Sequence, residues 1–114
     1  MSQLNNLKPV IRLSIVNPES EHSSVFGRGI AALCLGVKES GSLNAAAKSM
    51  GMAYSKAWRI IRDTETTLGV QLLYREGAHG SKLTEDCEQL LDLYQSIEED
   101  VQQKAEALYA NRTK

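Results

Sequence analysis

Two helical patterns meet at a single glycine in the middle of the chain, and this spacing restricts the fold more than any other feature. The first pattern covers residues 43 to about 50, contains three consecutive alanines, and follows Ser42, a typical N-cap residue. Gly51 suits the left-handed conformation that ends a helix. The second pattern begins almost at once and covers about residues 53–68. The sequence therefore predicts two helices joined by a tight turn.

The second helix of this pair has one packed face and one cationic face when it is plotted at 100° per residue. The packed face carries Ala57, Ile61, Thr64 and Leu68, with Tyr54 on the same side. The outward face carries Ser55, Lys56, Arg59, Arg62 and Thr66, with Arg59 near its centre. A braced helix with these side chains is typical of insertion into the major groove of DNA, where guanidinium groups pair with guanine edges. A solvated cationic face on an ordinary helix pair is the alternative.

The net charge of -1 argues by itself against a nucleic-acid-binding protein, but the charge is unevenly distributed. Residues 38–83 contain seven basic and four acidic side chains, whereas residues 84–114 contain three basic and eight acidic ones. The positive charge thus coincides with the predicted helix pair.

The residues before this pair predict one strand and one helix. Alternating polarity over residues 7–16 is typical of a half-buried strand, and Pro9 places that strand at a sheet edge because proline has no N–H to donate. Ser23 or Ser24 is the expected cap of a helix that ends at Gly41. The apolar positions of that helix are Ile30, Leu33, Cys34 and Val37.

Small residues of this first helix carry two further expectations. Gly27, Gly29 and Gly36 each weaken a helix by up to about 1 kcal/mol relative to alanine if they lie in its interior, which suggests that packing requires them. Cys34 and Cys87 stand alone within apolar patterns, which favours reduced core thiols over a disulfide or a metal site.

After Gly69, residues 72–76 and 81–83 flank the sequence GAHG and predict a β-hairpin. Arg75 and Lys82 flank its tip and His79 lies within it, so this hairpin could contact phosphates or the minor groove as a wing. A metal site at His79 is not expected, since the other histidine, His22, has no ligand spacing to it. Trp58 is interpreted as a core residue, with base stacking as its alternative.

Thr84 followed by two acids predicts the start of a long last helix. The apolar positions, spaced three or four residues apart, are Leu83, Cys87, Leu90, Tyr94, Ile97, Val101, Ala105 and Leu108. About 25 residues at about 1.5 Å each extend nearly 40 Å, which is farther than so small a domain covers. This spacing is close to a coiled-coil seam and favours a homodimer, while a solvated helix along its own domain is the alternative.

These patterns also carry a resemblance to a known family. The residues that carry it are Phe26-Gly27-Arg28-Gly29, Gly41-Ser42, Ala45 to Ala47, Met50-Gly51-Met52, Tyr54, Ala57-Trp58, Gly69 and Leu83-Thr84. They resemble the N-terminal winged helix-turn-helix domain of ModE-type molybdate-responsive transcriptional regulators. More loosely, LGVQLLYR and LTE are similar to the DNA-binding segment of LysR-type regulators. The resemblance covers roughly residues 7–108 and implies a leading strand, a DNA-reading third helix, a wing and a dimerising last helix.

The chain departs from the ModE-type pattern in two places. Full-length family members bind molybdate in C-terminal domains after the long helix, and the sequence ends at Lys114 without them, so molybdate sensing is not carried over. The wing sequence GAHGS is also shorter than the glycine run that the family often has, and its matching tip glycines are Gly77 and Gly80.

The sequence as a whole predicts a mainly α fold with a small β component, a winged helix-turn-helix. Residues 1–114 are expected to form one DNA-binding domain, with the core and wing in 7–83 and the dimerisation helix in 84–110. The predicted major-groove contacts are Ser55, Lys56, Arg59 and Arg62, with Tyr54 nearer the backbone, and the predicted phosphate or minor-groove contacts are Lys48, Arg75, His79 and Lys82.

The expected function is sequence-specific regulation of transcription by a homodimer on double-stranded DNA. The alternative is a protein-interaction module that kept the fold without specific DNA binding, with an unknown protein as partner. An enzyme is not expected, because no nucleophile grouping, phosphate-binding glycine loop or enclosed carboxylate pair is evident, and no cofactor is predicted. The absence of a run of about 18 apolar residues argues against a membrane partner and favours the cytoplasm.

Overall fold

The computed structural model describes residues 3–78 and 80–114. Its helices and strands are α1 (Arg28–Ser40), α2 (Leu43–Ser49), α3 (Tyr54–Leu68), β1 (Leu73–Glu76), β2 (Gly80–Leu83) and α4 (Glu85–Arg112), preceded by a short 3-10 turn at Leu4–Asn6. The two strands pair antiparallel, with Leu73 opposite Leu83 and Glu76 opposite Gly80. This is the predicted mainly helical fold with a hairpin wing and a long last helix. His79, at the hairpin tip, lies outside the described residues.

Local signals fix the ends of α2 and α3 as the sequence predicts. The hydroxyl of Ser42 accepts a hydrogen bond from the backbone N–H of Ala45 at 3.1 Å and so caps α2. Gly51 adopts a left-handed φ of 67° between the two helices, and Gly69 adopts one of 72° at the end of α3. The angle between α2 and α3 is therefore set by a turn of only a few residues.

Helices α1 and α2 pack closely because Gly36 has no side chain. A Cβ atom added at Gly36 would lie 2.8 Å from the Cβ of Ala46 on α2, which is too short for two carbon atoms. A Cβ added at Gly29, by contrast, would meet nothing within 4 Å. The packing reason expected for the glycines of α1 is therefore present at Gly36 and absent at Gly29.

Gly36→Ala is expected to lower the free energy of unfolding by about 1–2 kcal/mol, because overpacking a close contact outweighs the gain in helix propensity. Gly29→Ala is the matched control and should be neutral or stabilising by up to about 1 kcal/mol, since only the propensity gain applies there. Urea denaturation of both variants measures the difference. Equal stability of the two variants would contradict the close α1–α2 contact.

The start of α1 differs from the prediction. The helix begins at Arg28 after Gly27, whose backbone is extended, and no side chain caps it. Neither Ser23 nor Ser24 is its cap, so that prediction is wrong. The preceding residues instead form an extended segment in which Phe26 exchanges two backbone hydrogen bonds of 2.9 Å with Ile15. Phe26 is completely buried, and its pairing with Ile15 keeps the residues before α1 extended.

The predicted leading strand over residues 7–16 is also wrong as a strand, although its two faces are correct. Ile11, Leu13 and Ile15 are half-buried and the residues between them are exposed. Besides the Ile15–Phe26 pairing, the backbone of the segment bonds to α4, where Gln102 accepts from the N–H of Ile11 at 2.8 Å through its Oε1. The Nε2 of the same Gln102 donates to the carbonyl of Pro9, also at 2.8 Å. The segment with the edge-strand pattern thus packs along α4.

Polar contacts attach the wing to the helices. A carboxylate oxygen of Glu65 on α3 accepts hydrogen bonds from the backbone N–H groups of Leu72, at 2.7 Å, and Leu73, at 3.3 Å. The hydroxyl of Thr84 donates to the carbonyl of Gln71 at 2.6 Å and also caps α4 by accepting from Cys87 at 3.0 Å. The base of the wing is therefore held by α3 and by the start of α4.

Only the first half of α4 packs into the core of its own chain. Cys87, Leu91 and Tyr94 are buried, and the ring of Tyr94 meets Phe26 edge to face with centroids 5.6 Å apart. Beyond them Ile97 and Val101 are 42% and 41% exposed. Over the described ranges, 3–78 and 80–114, no helix combines the length and the apolar character that a membrane crossing requires.

Candidate nucleic-acid interface

The cationic face of α3 is open to solvent. Ser55, Lys56, Arg59 and Arg62 are all exposed, as is Thr66. On the opposite face Ala57, Ile61 and Thr64 are buried and Leu68 is half-buried. Within the part of the chain that the structure describes, no carboxylate lies within ion-pair distance of Lys56, Arg59 or Arg62. Their positive charge is therefore not neutralised by the protein itself.

Helix α2 supports α3 from behind. Ala46 and Ala47 of α2 are buried, and the backbone N–H of Met52, just before α3, donates to the carbonyl of Ala47 at 2.9 Å. Lys48, in the last turn of α2, is exposed. The short helix thus fixes the position of α3 while leaving the outer surface of α3 free, which is the arrangement that groove insertion requires.

The register of the wing places its two cations on opposite faces. Arg75 pairs with Ser81 and Lys82 pairs with Tyr74 across the hairpin. Because side chains alternate along a strand, Arg75 shares the inner face with the buried Ser81, whereas Lys82 lies on the outer face. On that outer face the ammonium of Lys82 lies 3.6 Å from a carboxylate oxygen of Glu76. The structure therefore brings Arg75, and not Lys82, toward α3.

A groove separates the inner face of the wing from the starts of α2 and α3. It has a volume of about 500 Å³ and is lined by Ser42, Asn44, Tyr54, Arg75, Ala78, Gly80 and Ser81. Tyr54 at the start of α3 is 42% exposed beside it. Two of the predicted contact residues, Tyr54 and Arg75, thus line the same groove. His79, predicted as a contact of the same wing, is outside the described residues.

Trp58 connects the wing and α3. Its ring packs partly against the hydrophobic core, as its interpretation as a core residue predicts. The guanidinium of Arg62 lies 5.3 Å from the ring centroid and that of Arg75 lies 5.8 Å from it, while Tyr54 meets the ring edge to face. Tyr54 and Arg62 are each four residues from Trp58, so helical spacing predicts their contacts with it. No pattern in the sequence predicts the contact between Trp58 and Arg75 of the wing.

The two cysteines are buried free thiols, as predicted. The thiol of Cys87 donates to the sulfur of Cys34 at 3.6 Å. The neighbouring Cys87 thiol and burial raise the pKa of Cys34 above its usual range, so Cys34 is a neutral thiol and not a nucleophile. Across residues 3–78 and 80–114, no group of three or more His, Cys, Asp or Glu side chains could hold a metal ion.

Comparison with known proteins identifies the family. Residues 32–88 match the family described as bacterial regulatory helix-turn-helix protein, lysR family. Among solved structures, the chain is similar to the crystal structure of the CbnR_DBD–DNA complex, with 27% sequence identity, a TM-score of 0.58, and coverage of 72% of this chain and 93% of that one. No curated protein matches the chain. The matched region runs from within α1 to the start of α4 and contains the helix pair and the wing. The chain therefore belongs to the LysR family of bacterial regulatory helix-turn-helix proteins, which is a family of regulators and not of enzymes.

Proposed function

We propose that the protein is a sequence-specific DNA-binding regulator of transcription that acts as a homodimer, with α3 as its recognition helix in the major groove. The observation that carries this proposal is the exposed, unneutralised cationic face of α3, supported from behind by α2. Membership of the LysR family and similarity to a protein solved as a DNA complex support it.

The proposed contacts divide by their place around α3. Side chains of its outward face read base edges and adjacent phosphates: Ser55, Lys56, Arg59 and Arg62. Tyr54 contacts the backbone, since it lies at the first turn of α3 beside the groove. The remaining predicted contacts, from α2 and the wing, reach phosphates or the minor groove: Lys48, Arg75, His79 and Lys82.

The proposed dimer forms through apolar residues of α4 beyond Tyr94 that its own chain leaves at least partly exposed. We call these residues, Ile97, Val101 and Leu108 with the half-buried Ala105, the α4 seam. Their spacing of three or four residues is that of a helix packing against a second helix. Two recognition helices joined in this way would read half-sites about one duplex turn, roughly 34 Å, apart.

Selection of bound fragments from random duplexes tests the proposal. The expected result is an enriched, near-palindromic site with two half-sites about one turn apart, bound by two chains in sedimentation measurements. Selection that enriches no sequence, although the protein is folded and binds at low salt, would contradict sequence-specific recognition. We call the enriched sequence the operator.

A protein-interaction module is the second candidate, and the observation that favours it is the acidic last segment, with eight acidic and three basic residues in 84–114. Binding to mixed duplex DNA at low salt separates the two candidates, because the interaction module has no groove contact to make. Absent DNA binding together with a stoichiometric protein partner would favour the second candidate.

Closer kinship with ModE-type regulators is proposed for the DNA-binding region only. It is supported by Met50-Gly51-Met52 in the turn and by Ala57-Trp58 on α3. Titration of the protein–operator complex with molybdate, with sulfate as the control anion, tests how far this kinship extends. Unchanged affinity agrees with a relationship restricted to DNA binding, and a molybdate-specific change would extend it to sensing.

Lys82→Ala is expected to weaken binding to all duplexes alike and to reduce the slope of log affinity against log salt by about 1, because it removes a phosphate contact. Glu76→Gln is the matched variant and should strengthen binding, since it removes the carboxylate that lies 3.6 Å from Lys82. Fluorescence titrations at several salt concentrations measure both slopes. A sequence-dependent loss in Lys82→Ala would contradict the phosphate assignment.

A further inference from the structure

We propose that Trp58 is a positioning residue that holds Arg62 of the recognition helix and Arg75 of the wing in place for one DNA duplex. The inference rests on the proposed function and adds a residue to it. Sequence patterns assign Trp58 to the core, and its ring does contact the core, but the two arginines that lie against the ring are both proposed DNA contacts.

The geometry supports a cation–π cluster. The guanidinium carbons of Arg62 and Arg75 lie 5.3 and 5.8 Å from the ring centroid of Trp58, within the distance at which the negative ring face attracts a cation. Both arginines are exposed and carry no ion pair among the described residues. The indole ring therefore has two like charges beside it, and no carboxylate pairs with either of them among the described residues.

A second observation concerns the indole N–H of Trp58. Its Nε1 atom is buried and has no hydrogen-bond partner among the described residues. A buried donor without a partner is unfavourable, and an apolar side chain at this position would avoid that cost. What the tryptophan provides in return is the largest and most electron-rich ring face available to an arginine.

Holding the two arginines before DNA arrives favours binding in two ways. A free arginine side chain loses rotamer entropy when it is fixed on a ligand, and contact with the ring removes part of that loss in advance. The second effect concerns the wing. Its base is held by Glu65 and Thr84, and the contact of Arg75 with Trp58 adds a link farther along the strand, which fixes the angle between wing and α3.

A double-mutant cycle on operator affinity tests the inference. We expect Trp58→Leu and Arg75→Ala each to weaken binding about 3- to 30-fold, and Arg75→Ala to have less than half of its logarithmic effect when leucine already replaces Trp58. Lys82→Ala is the matched control from the outer face of the same hairpin, and its effect should be unchanged by the leucine substitution. Additive effects of Trp58→Leu and Arg75→Ala would overturn the inference.

Two further measurements distinguish a positioning role of Trp58 from a purely structural one. They also test its contact with Arg75 independently of DNA binding. Trp58 is the only tryptophan, so acrylamide quenching of its fluorescence should increase in Arg75→Ala without any DNA present. Circular dichroism should show Trp58→Leu folded under the titration conditions, although its urea midpoint should fall because leucine fills less of the space against the core. Unchanged quenching overturns the contact itself. If the wild-type protein binds no duplex, the proposed function fails, and with it the positioning role, even where quenching confirms the contact.

Discussion

Val101→Glu is expected to dissociate the homodimer and to weaken operator binding by about 10²- to 10⁴-fold. The loss is large because two linked recognition helices bind one operator with an effective concentration that a single helix does not have. Sedimentation at micromolar concentration measures the dissociation, and titration with the two-half-site operator measures the affinity. Binding to a single half-site should change much less, because each monomer keeps its own α3.

The added charge is expected to destabilise the dimer and not the fold of the monomer. Val101 is 41% exposed, so a glutamate there can remain hydrated in the monomer, and glutamate is a good helix former. In a dimer the same carboxylate would face the apolar side chains of the partner helix and lose its water. It would also add to a segment that already contains eight acidic residues. The variant should therefore be a folded monomer with an unchanged helical spectrum.

Gln103→Glu provides the matched control. It adds the same charge to α4 two residues away, at an exposed position about 200° around the helix from Val101. This variant should remain dimeric and should bind the operator about as well as the wild type. Equal effects of the two substitutions would indicate a general charge effect, and a dimeric Val101→Glu would contradict dimerisation through the α4 seam.

The helix pair and the wing could be predicted from the sequence because their signals are local. Ser42 and Gly51 bound α2, and Gly69 ends α3, so each end is determined by a residue within one turn of it. The two faces of α3 likewise follow from helical spacing alone. Arg59 and Ile61 are two positions apart, which is about 200° of rotation, so one is exposed and the other is buried. The same reasoning placed the cap of α4 at Thr84.

The features that the sequence did not predict depend on residues far apart in the chain. Alternation over residues 7–16 predicts a strand, but Gln102, more than 90 positions later, takes the backbone groups that a neighbouring strand would have paired. The pairing of Arg75 with Trp58 joins two elements whose contact is set by the hairpin register. Periodicity shows which face of an element is buried, and it does not show which element covers it.

Arg59→Ala is expected to weaken specific binding by about 1–3 kcal/mol and to relax the base preference at one position of each half-site. Arg59 lies near the centre of the exposed face of α3 with no ion pair among the described residues, so its guanidinium is free to pair with a base edge. Truncation to alanine removes that pairing and preserves the helix. Affinity for the operator and for single-base variants of it measures both effects.

Arg112→Ala separates base reading from a simple loss of positive charge. Arg112 is exposed in the last turn of α4, away from the cationic face of α3, and its removal changes the net charge by the same amount. It should reduce binding only slightly and equally for all sequences, because distant charges are screened at physiological salt. If Arg59→Ala also weakens all duplexes equally, Arg59 contacts phosphate and not a base. If Arg59→Ala has no effect on the operator, α3 does not enter the groove with this face, because the side chain at the centre of its exposed stripe would then lie outside the contact.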